Sequence, residues 1–271
     1  MKMFCQLTEK LQKQFQLPKL PKKPPEENSL PFIIGSNVSI KNYNKFLESY
    51  ESSGCKFEYK NGDVFIVEMC TAEHEFVITL LLNYFKIPNG GVIINPPIRV
   101  CGQPYHPSPN ADGLMIAPDV AVYPSRTYIP RPNSGPTYLG PPPSDTRGNP
   151  HARIICEVAI GQSSRGWKDK TTRNAQGKFN RTMKAKLWRR GMQTQTWSFG
   201  TVEKGNNIPT GCNAPGNPAY QINIPISDTF WDPPIPTIRY VPLVARPAII
   251  GGNFIIDLYE IQQVVLEYQN E

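Results

Sequence analysis

Three acidic residues sit inside apolar, strand-like runs, and they are where this chain could do chemistry. Asp119 follows Pro118 and leads directly into Val120, Ala121 and Val122; Glu157 lies in the run Ile154–Ile155–Cys156–Glu157–Val158–Ala159; Glu58 lies in KFEYK, residues 56–60. A carboxylate in such a run costs stability unless something pairs with it. For Asp119 the candidates are a neighbouring cation, backbone N–H groups at a turn after Pro118, or a metal ion. Glu58 reads equally as a residue on a solvated face. The run around Glu157 is apolar on both sides and reads as buried on both faces. A divalent cation can join two such acids, since Mg2+ favours one or two carboxylates, a backbone carbonyl and waters. An ion held that way lowers the pKa of a bound water and neutralises a phosphate under attack. A nearby lysine would stabilise the charged transition state.

The elements that position these acids follow from periodicity and punctuation. Residues 39–54 read as a helix, with Ser39 as N-cap, Gly54 as stop, and Tyr43, Phe46, Leu47 and Tyr50 at helical spacing. The Asn61–Gly62 pair predicts a hairpin with strands 56–60 and 63–69. Residues 71–86 predict a second helix, capped by Thr71, with Glu73 and Glu75 at the positive end of its dipole. Its buried stripe would be Phe76, Val77, Leu80, Leu81, Tyr84 and Phe85, and Pro88 and Gly90 end it. Strands are expected at 96–102, 117–124 and 152–160, with a Pro/Gly-rich surface loop at 124–151. Residues 161–195 are strongly basic, and Leu187 and Trp188 suggest that their second half is helical. Further strands are expected at 194–203, 219–224 and 237–242, and the later part of 254–269 reads as helix. The outcome is an α/β (α+β) core with a C-terminal addition.

Composition narrows the classes. The chain of 271 residues is long enough to bury its own core, and with 19% charged and 10% aromatic residues most of it should fold. No run of about 18 apolar residues exists, so no membrane-spanning helix is expected, and the N-terminal stretch lacks the apolar run of a secretory signal. Six cysteines are scattered singly, which reads as free thiols in a reducing, intracellular compartment, cytoplasmic or nuclear. Residues 18–32 carry too much proline for a regular element. Residues 1–35 therefore read as a basic tail and linker whose Lys19–Lys23 cluster suits a solvated linker first, and nuclear import or a nucleic-acid contact as the alternative. Net charge of +7 suits a polyanionic partner or merely a soluble surface. The pairs Cys101/His106 and His151/Cys156 have four residues between their members, too wide for the usual zinc spacings.

Taken in order, the motifs resemble a known family. Pro118–Asp119 followed by Glu157–Val158–Ala159 resembles the signature of the PD-(D/E)XK nuclease superfamily. The wider set resembles its putative restriction endonuclease domain: Phe57–Glu58 with Asn61–Gly62, His74 on the second helix, the two acidic strands, the basic segment and the strand TWSFGTV. The resemblance spans roughly residues 38–205. It implies a restriction endonuclease-like fold, a central mixed β-sheet flanked by helices, over residues 36–205, with 206–271 as an accessory extension. It implies Asp119 and Glu157 as ligands of Mg2+ or Mn2+, Glu58 as an assistant to the ion or its waters, and His74 as a second-layer residue. The common signature places lysine two residues after the glutamate, where this chain has Ala159. In the family the lysine has moved to the following helix, which makes Lys170 the first candidate, Lys178 the second and Lys168 the third.

The expected activity is therefore that of a metal-dependent endodeoxyribonuclease. Arg165, Lys168, Arg173, Lys178 and Arg181 would hold the DNA backbone. A homodimer is compatible with this reading. The alternative is a catalytically degenerate nuclease fold that binds nucleic acid, or serves assembly, without cleaving it.

Overall fold

The computed structural model describes residues 17–23, 25, 29–50, 55–69, 71–102, 106–107, 113–129, 144, 148–159, 177, 179–189, 192–206, 208–230 and 249–268. It is a mixed α+β structure, with several small antiparallel sheets and four α-helices among the described residues, and the chain divides into two compact units. One unit comprises 1–71 and 107–115, the other 72–106 and 116–271.

In the first unit, β1 (Phe32–Gly35), β2 (Cys55–Lys60) and β3 (Asp63–Met69) form one antiparallel sheet with β3 in the centre. The hairpin turn has positive φ at both Asn61 (52°) and Gly62 (90°), the combination a two-residue turn needs to match strand twist. Helix α1 (Ile40–Tyr50) starts where Ser39 Oγ accepts the Asn42 N–H at 3.2 Å. Its buried face is Tyr43, Phe46 and Leu47; Phe46 meets Phe57 edge-on with ring centroids 4.9 Å apart. Asn44 accepts from the Met115 N–H and donates to the Gly113 carbonyl, tying α1 to residues 113–115.

The second unit carries the larger core. Helix α2 (Ala72–Lys86) packs on an antiparallel sheet ordered β4 (Ile98–Gly102), β5 (Val120–Pro124), β6 (Ile154–Cys156). Its end is marked by Gly90 in the left-handed region, whose N–H bonds the Ile87 carbonyl. Buried Asn89 then bonds Ile98 twice, amide N–H to carbonyl at 2.9 Å and backbone N–H to amide oxygen at 3.0 Å, so that the start of β4 finds its partners in a side chain. Val77, Leu81, Tyr84 and Phe85 are buried as the helical spacing predicts, Leu80 is half-buried, and Ile78, outside the expected stripe, is buried as well. Phe76 departs from the expected stripe: it is 45% exposed and stacks on Tyr268, at 4.2 Å and 11°, near the end of the last helix.

Further elements of this unit are β7 (Thr182–Leu187), β8 (Gln195–Gly200), β9 (Gln221–Pro225), a single turn α3 (Ser227–Phe230), β10 (Asn253–Asp257) and α4 (Leu258–Glu267). β7 pairs with β8 and β9 with β10, both antiparallel. Residues from the expected C-terminal addition are part of the same core as α2 and β5: Ile222, Ile224, Phe254, Ile256, Leu258 and Val265 lie in one apolar cluster with Val77, Phe85, Val120 and Val122. Tyr84 of α2 donates to Glu260 of α4 at 2.7 Å, and burial with that carboxylate pushes the phenol pKa up. Asp257 caps α4 through the Tyr259 N–H and also accepts from Gly216 N–H at 2.6 Å.

One expectation is corrected here. The second half of the basic segment is strand, not helix, from Thr182 to Leu187. Its residues alternate exposed and half-buried, the period of a strand with one face on the core. The adjacent pair Leu187–Trp188 suggested a helical stripe, but Leu187 faces the core while Trp188 is 81% exposed.

Gly200 closes the β7–β8 ladder with φ of 111°, and a Cβ there would run into the Arg181 carbonyl. Gly200→Ala should lower unfolding free energy by about 2 kcal/mol or more, combining left-handed strain with overpacking. Urea denaturation followed by circular dichroism reads this directly.

Candidate active site

Asp119 lies just ahead of β5, with no accessible surface. The ladder sets Val120 opposite Cys156, so Asp119 and Glu157 are the next residues outward on two neighbouring strands. The chain brings the two acids to adjacent strand ends, and both charges bear on the Cys156 thiol. Burial first, then Glu157, then Asp119 push that thiol up to about 12.

Asp119 meets a backbone donor and a histidine ring. Its Oδ2 accepts the Val158 N–H at 2.6 Å, and the same oxygen stands 3.6 Å from Nε2 of His74. His74 is 1% exposed and sits in the first turn of α2, held there because α2 lies across the strands. Its Nε2 lies 3.1 Å from the Val158 carbonyl, and its Nδ1 lies 3.2 Å from Oε1 of Glu75. A carbonyl and a carboxylate can only accept, so the doubly protonated ring is the form that donates to both. An imidazolium in that place also offsets the buried Asp119 charge. His74 thus clasps the end of β6 to α2: Val158 gives its N–H to Asp119 and receives from the ring.

Glu157 is exposed, which corrects the expectation that its run is buried on both faces. β6 is only three residues long and pairs with β5 along one side, so Ile155 is 40% exposed and the outward positions meet solvent. Glu58 is exposed on β2 in the other unit. Arg181 lies just before β7 and pairs with Glu73 of α2 at 2.7 Å, its guanidinium half-buried. Arg165, Lys168, Lys170, Arg173 and Lys178 lie outside the described residues. Among the described residues, no three His, Cys, Asp or Glu side chains converge in a metal-holding group.

The clasp was not read from the sequence, although its signals were present. His74 and Glu73 were visible in the first turn of a well-marked helix, but their partners Val158 and Arg181 are far along the chain. Arg189 likewise pairs with Asp228 of α3 at 2.7 Å, across a separation no local pattern reveals. No family model, curated protein or solved structure matches the chain.

Asp119→Ala should destabilise the fold by about 2–4 kcal/mol, because it strands the Val158 N–H and a buried imidazole. Glu157→Ala, at an exposed position, should move the urea midpoint far less. Cys156 should resist alkylation at pH 8 in the native state, since a thiol titrating near 12 is almost wholly protonated there. Exposed Cys101 should label quickly, and mass spectrometry of the labelled peptides separates the two.

Proposed function

We propose that this chain is a metal-dependent phosphodiesterase of the restriction endonuclease type, acting on DNA, with a restriction endonuclease-like core carrying the site. The observation that supports it is the arrival of Asp119 and Glu157 at neighbouring strand ends, where both charges act on the same thiol. The donor chemistry suits a hard cation, since carboxylate oxygens rather than thiolates are offered. Asp119 and Glu157 would hold Mg2+ or Mn2+. Such an ion supplies a bound water of lowered pKa and offsets charge on the phosphate.

The protein's own contribution is orientation. Val158 N–H and His74 fix Asp119 in one position, and exposed Glu157 is the acid open to solvent and substrate. Lys170, with Lys178 and Lys168 behind it, remains the candidate for stabilising the transition state. Arg165, Lys168, Arg173 and Lys178 would meet the DNA backbone, while Arg181 is engaged by Glu73, and a homodimer would present two such sites.

A second reading has its own support. Asp119 is wholly buried, and its Oδ2 already accepts a backbone N–H, which suits a structural clasp in a fold that binds nucleic acid without cutting it. Ala159, standing where the common signature has lysine, points the same way. A cleavage assay over a DNA panel, titrated with Mg2+ and Mn2+, separates the readings. The first expects cleavage that falls at least about 100-fold in Glu157→Ala and Asp119→Asn. Unchanged rates in both variants would remove those acids from the site. Metal-independent, salt-sensitive binding with no cleavage would leave the second reading standing.

A further inference from the structure

The β7–β8 ribbon has two chemically opposite faces. Met183, Ala185, Leu187, Trp197 and Phe199 pack on the core. The other face presents Lys184 and Lys186, each directly opposite a hydroxyl residue: Lys184 pairs with Ser198 and Lys186 with Thr196. All four of these residues are exposed, and no ion pair among the described residues engages either lysine. Trp188 follows the strand at 81% exposure, more than any other aromatic residue described. Its neighbour Arg189 is anchored to Asp228 at 2.7 Å, so the tryptophan stands at a fixed end of the ribbon.

We infer that this face binds single-stranded nucleic acid, with Lys184 and Lys186 on successive phosphates and Trp188 stacking on an unpaired base. Residues two apart on a strand are about 6.7 Å apart, a spacing that lets two ammonium groups follow an extended backbone. The hydroxyls of Ser198 and Thr196 add donors between them. An exposed tryptophan on a cationic surface is the part that distinguishes unpaired from paired bases, because stacking needs an open π-face. The partner class rests on the nucleic-acid reading above; the strand preference and the residues go beyond it. Arg181, committed to Glu73, and Arg189, committed to Asp228, position the ribbon at its two ends.

Fluorescence anisotropy with a labelled oligothymidine and with a duplex of equal length, over a salt series without divalent metal, tests this. Wild type should prefer the single strand. Trp188→Ala should weaken that binding roughly 5- to 100-fold, with Trp188→Phe recovering part of it. The double variant Lys184→Ala/Lys186→Ala should lower the slope of log K against log salt by about 1.4, near 0.7 for each phosphate released. Because all three side chains are exposed, circular dichroism should show the variants folded. Equal binding by wild type and all variants overturns the inference, as does duplex preference that is indifferent to Trp188, which would instead place the ribbon in a groove. The Asp119→Asn/Glu157→Ala variant separates the two proposals. If wild type never cleaves while that variant binds single strands through Trp188, only the hydrolytic reading falls. If wild type cleaves and the ribbon variants cleave single strands at unchanged KM, only the ribbon inference falls.

Discussion

A carboxylate without solvent must be compensated, and Asp119 is such a group. Its charge has to be met inside the second unit, where the effective dielectric is low. Val158 from the end of β6 and His74 from the first turn of α2 meet it. Neither partner can be supplied locally, so the charge acts as a registration device. If β6 slipped by one residue relative to β5, the Val158 N–H would leave Asp119 and the side chains of β6 would change faces. If α2 turned on its axis, His74 would leave the pocket and the row Val77, Leu81, Phe85 would leave the core with it. Hydrophobic burial supplies most of the driving force here. The clasp restricts how the apolar surfaces may meet.

That restriction explains the position of Glu157. Beyond Cys156 the chain no longer pairs as a ladder, because the Val158 N–H is taken by a side chain. The end of β6 is thereby left at the edge of a short strand, where Glu157 is presented outward. A buried acid and an exposed acid at adjacent strand ends form an asymmetric pair. One is buried and hydrogen-bonded, the other is exposed, and burial keeps the neighbouring Cys156 thiol protonated.

Local signals made much of the fold legible. The Asn61–Gly62 turn, the Ser39 cap and the extent of α2 could be read because each depends on residues within a few positions of one another. The acids Asp119 and Glu157 stood out for the same reason, as polar residues interrupting apolar runs. What local reasoning could not supply was the partner of each charge: His74 to Asp119, Arg181 to Glu73, Arg189 to Asp228. Those contacts join positions separated by tens of residues, and opposite charges are too common for their type to select a pair. The packing of residues 206–271 is not legible in the sequence for a related reason. Ile222, Phe254 and Leu258 look like ordinary strand and helix residues, and only the packing shows them filling the same core as Phe85 and Val120.

The β7 strand is a different case, since its signal was local and a competing signal obscured it. Thr182–Met183–Lys184–Ala185–Lys186–Leu187 alternates polar and apolar without a break, which is the strand period. The adjacent Leu187–Trp188 pair suggests a helix instead, because bulky neighbours can share a helical stripe. Tertiary context decides between the two. β8 offers Trp197 and Phe199 on one face and Thr196 and Ser198 on the other, a surface that only an alternating partner can match on both sides. The same alternation that buries Met183 and Leu187 must expose Lys184 and Lys186, so the charged face is a geometric consequence of the strand. A helix of the same sequence would have distributed those lysines around its circumference and diluted the field they make together.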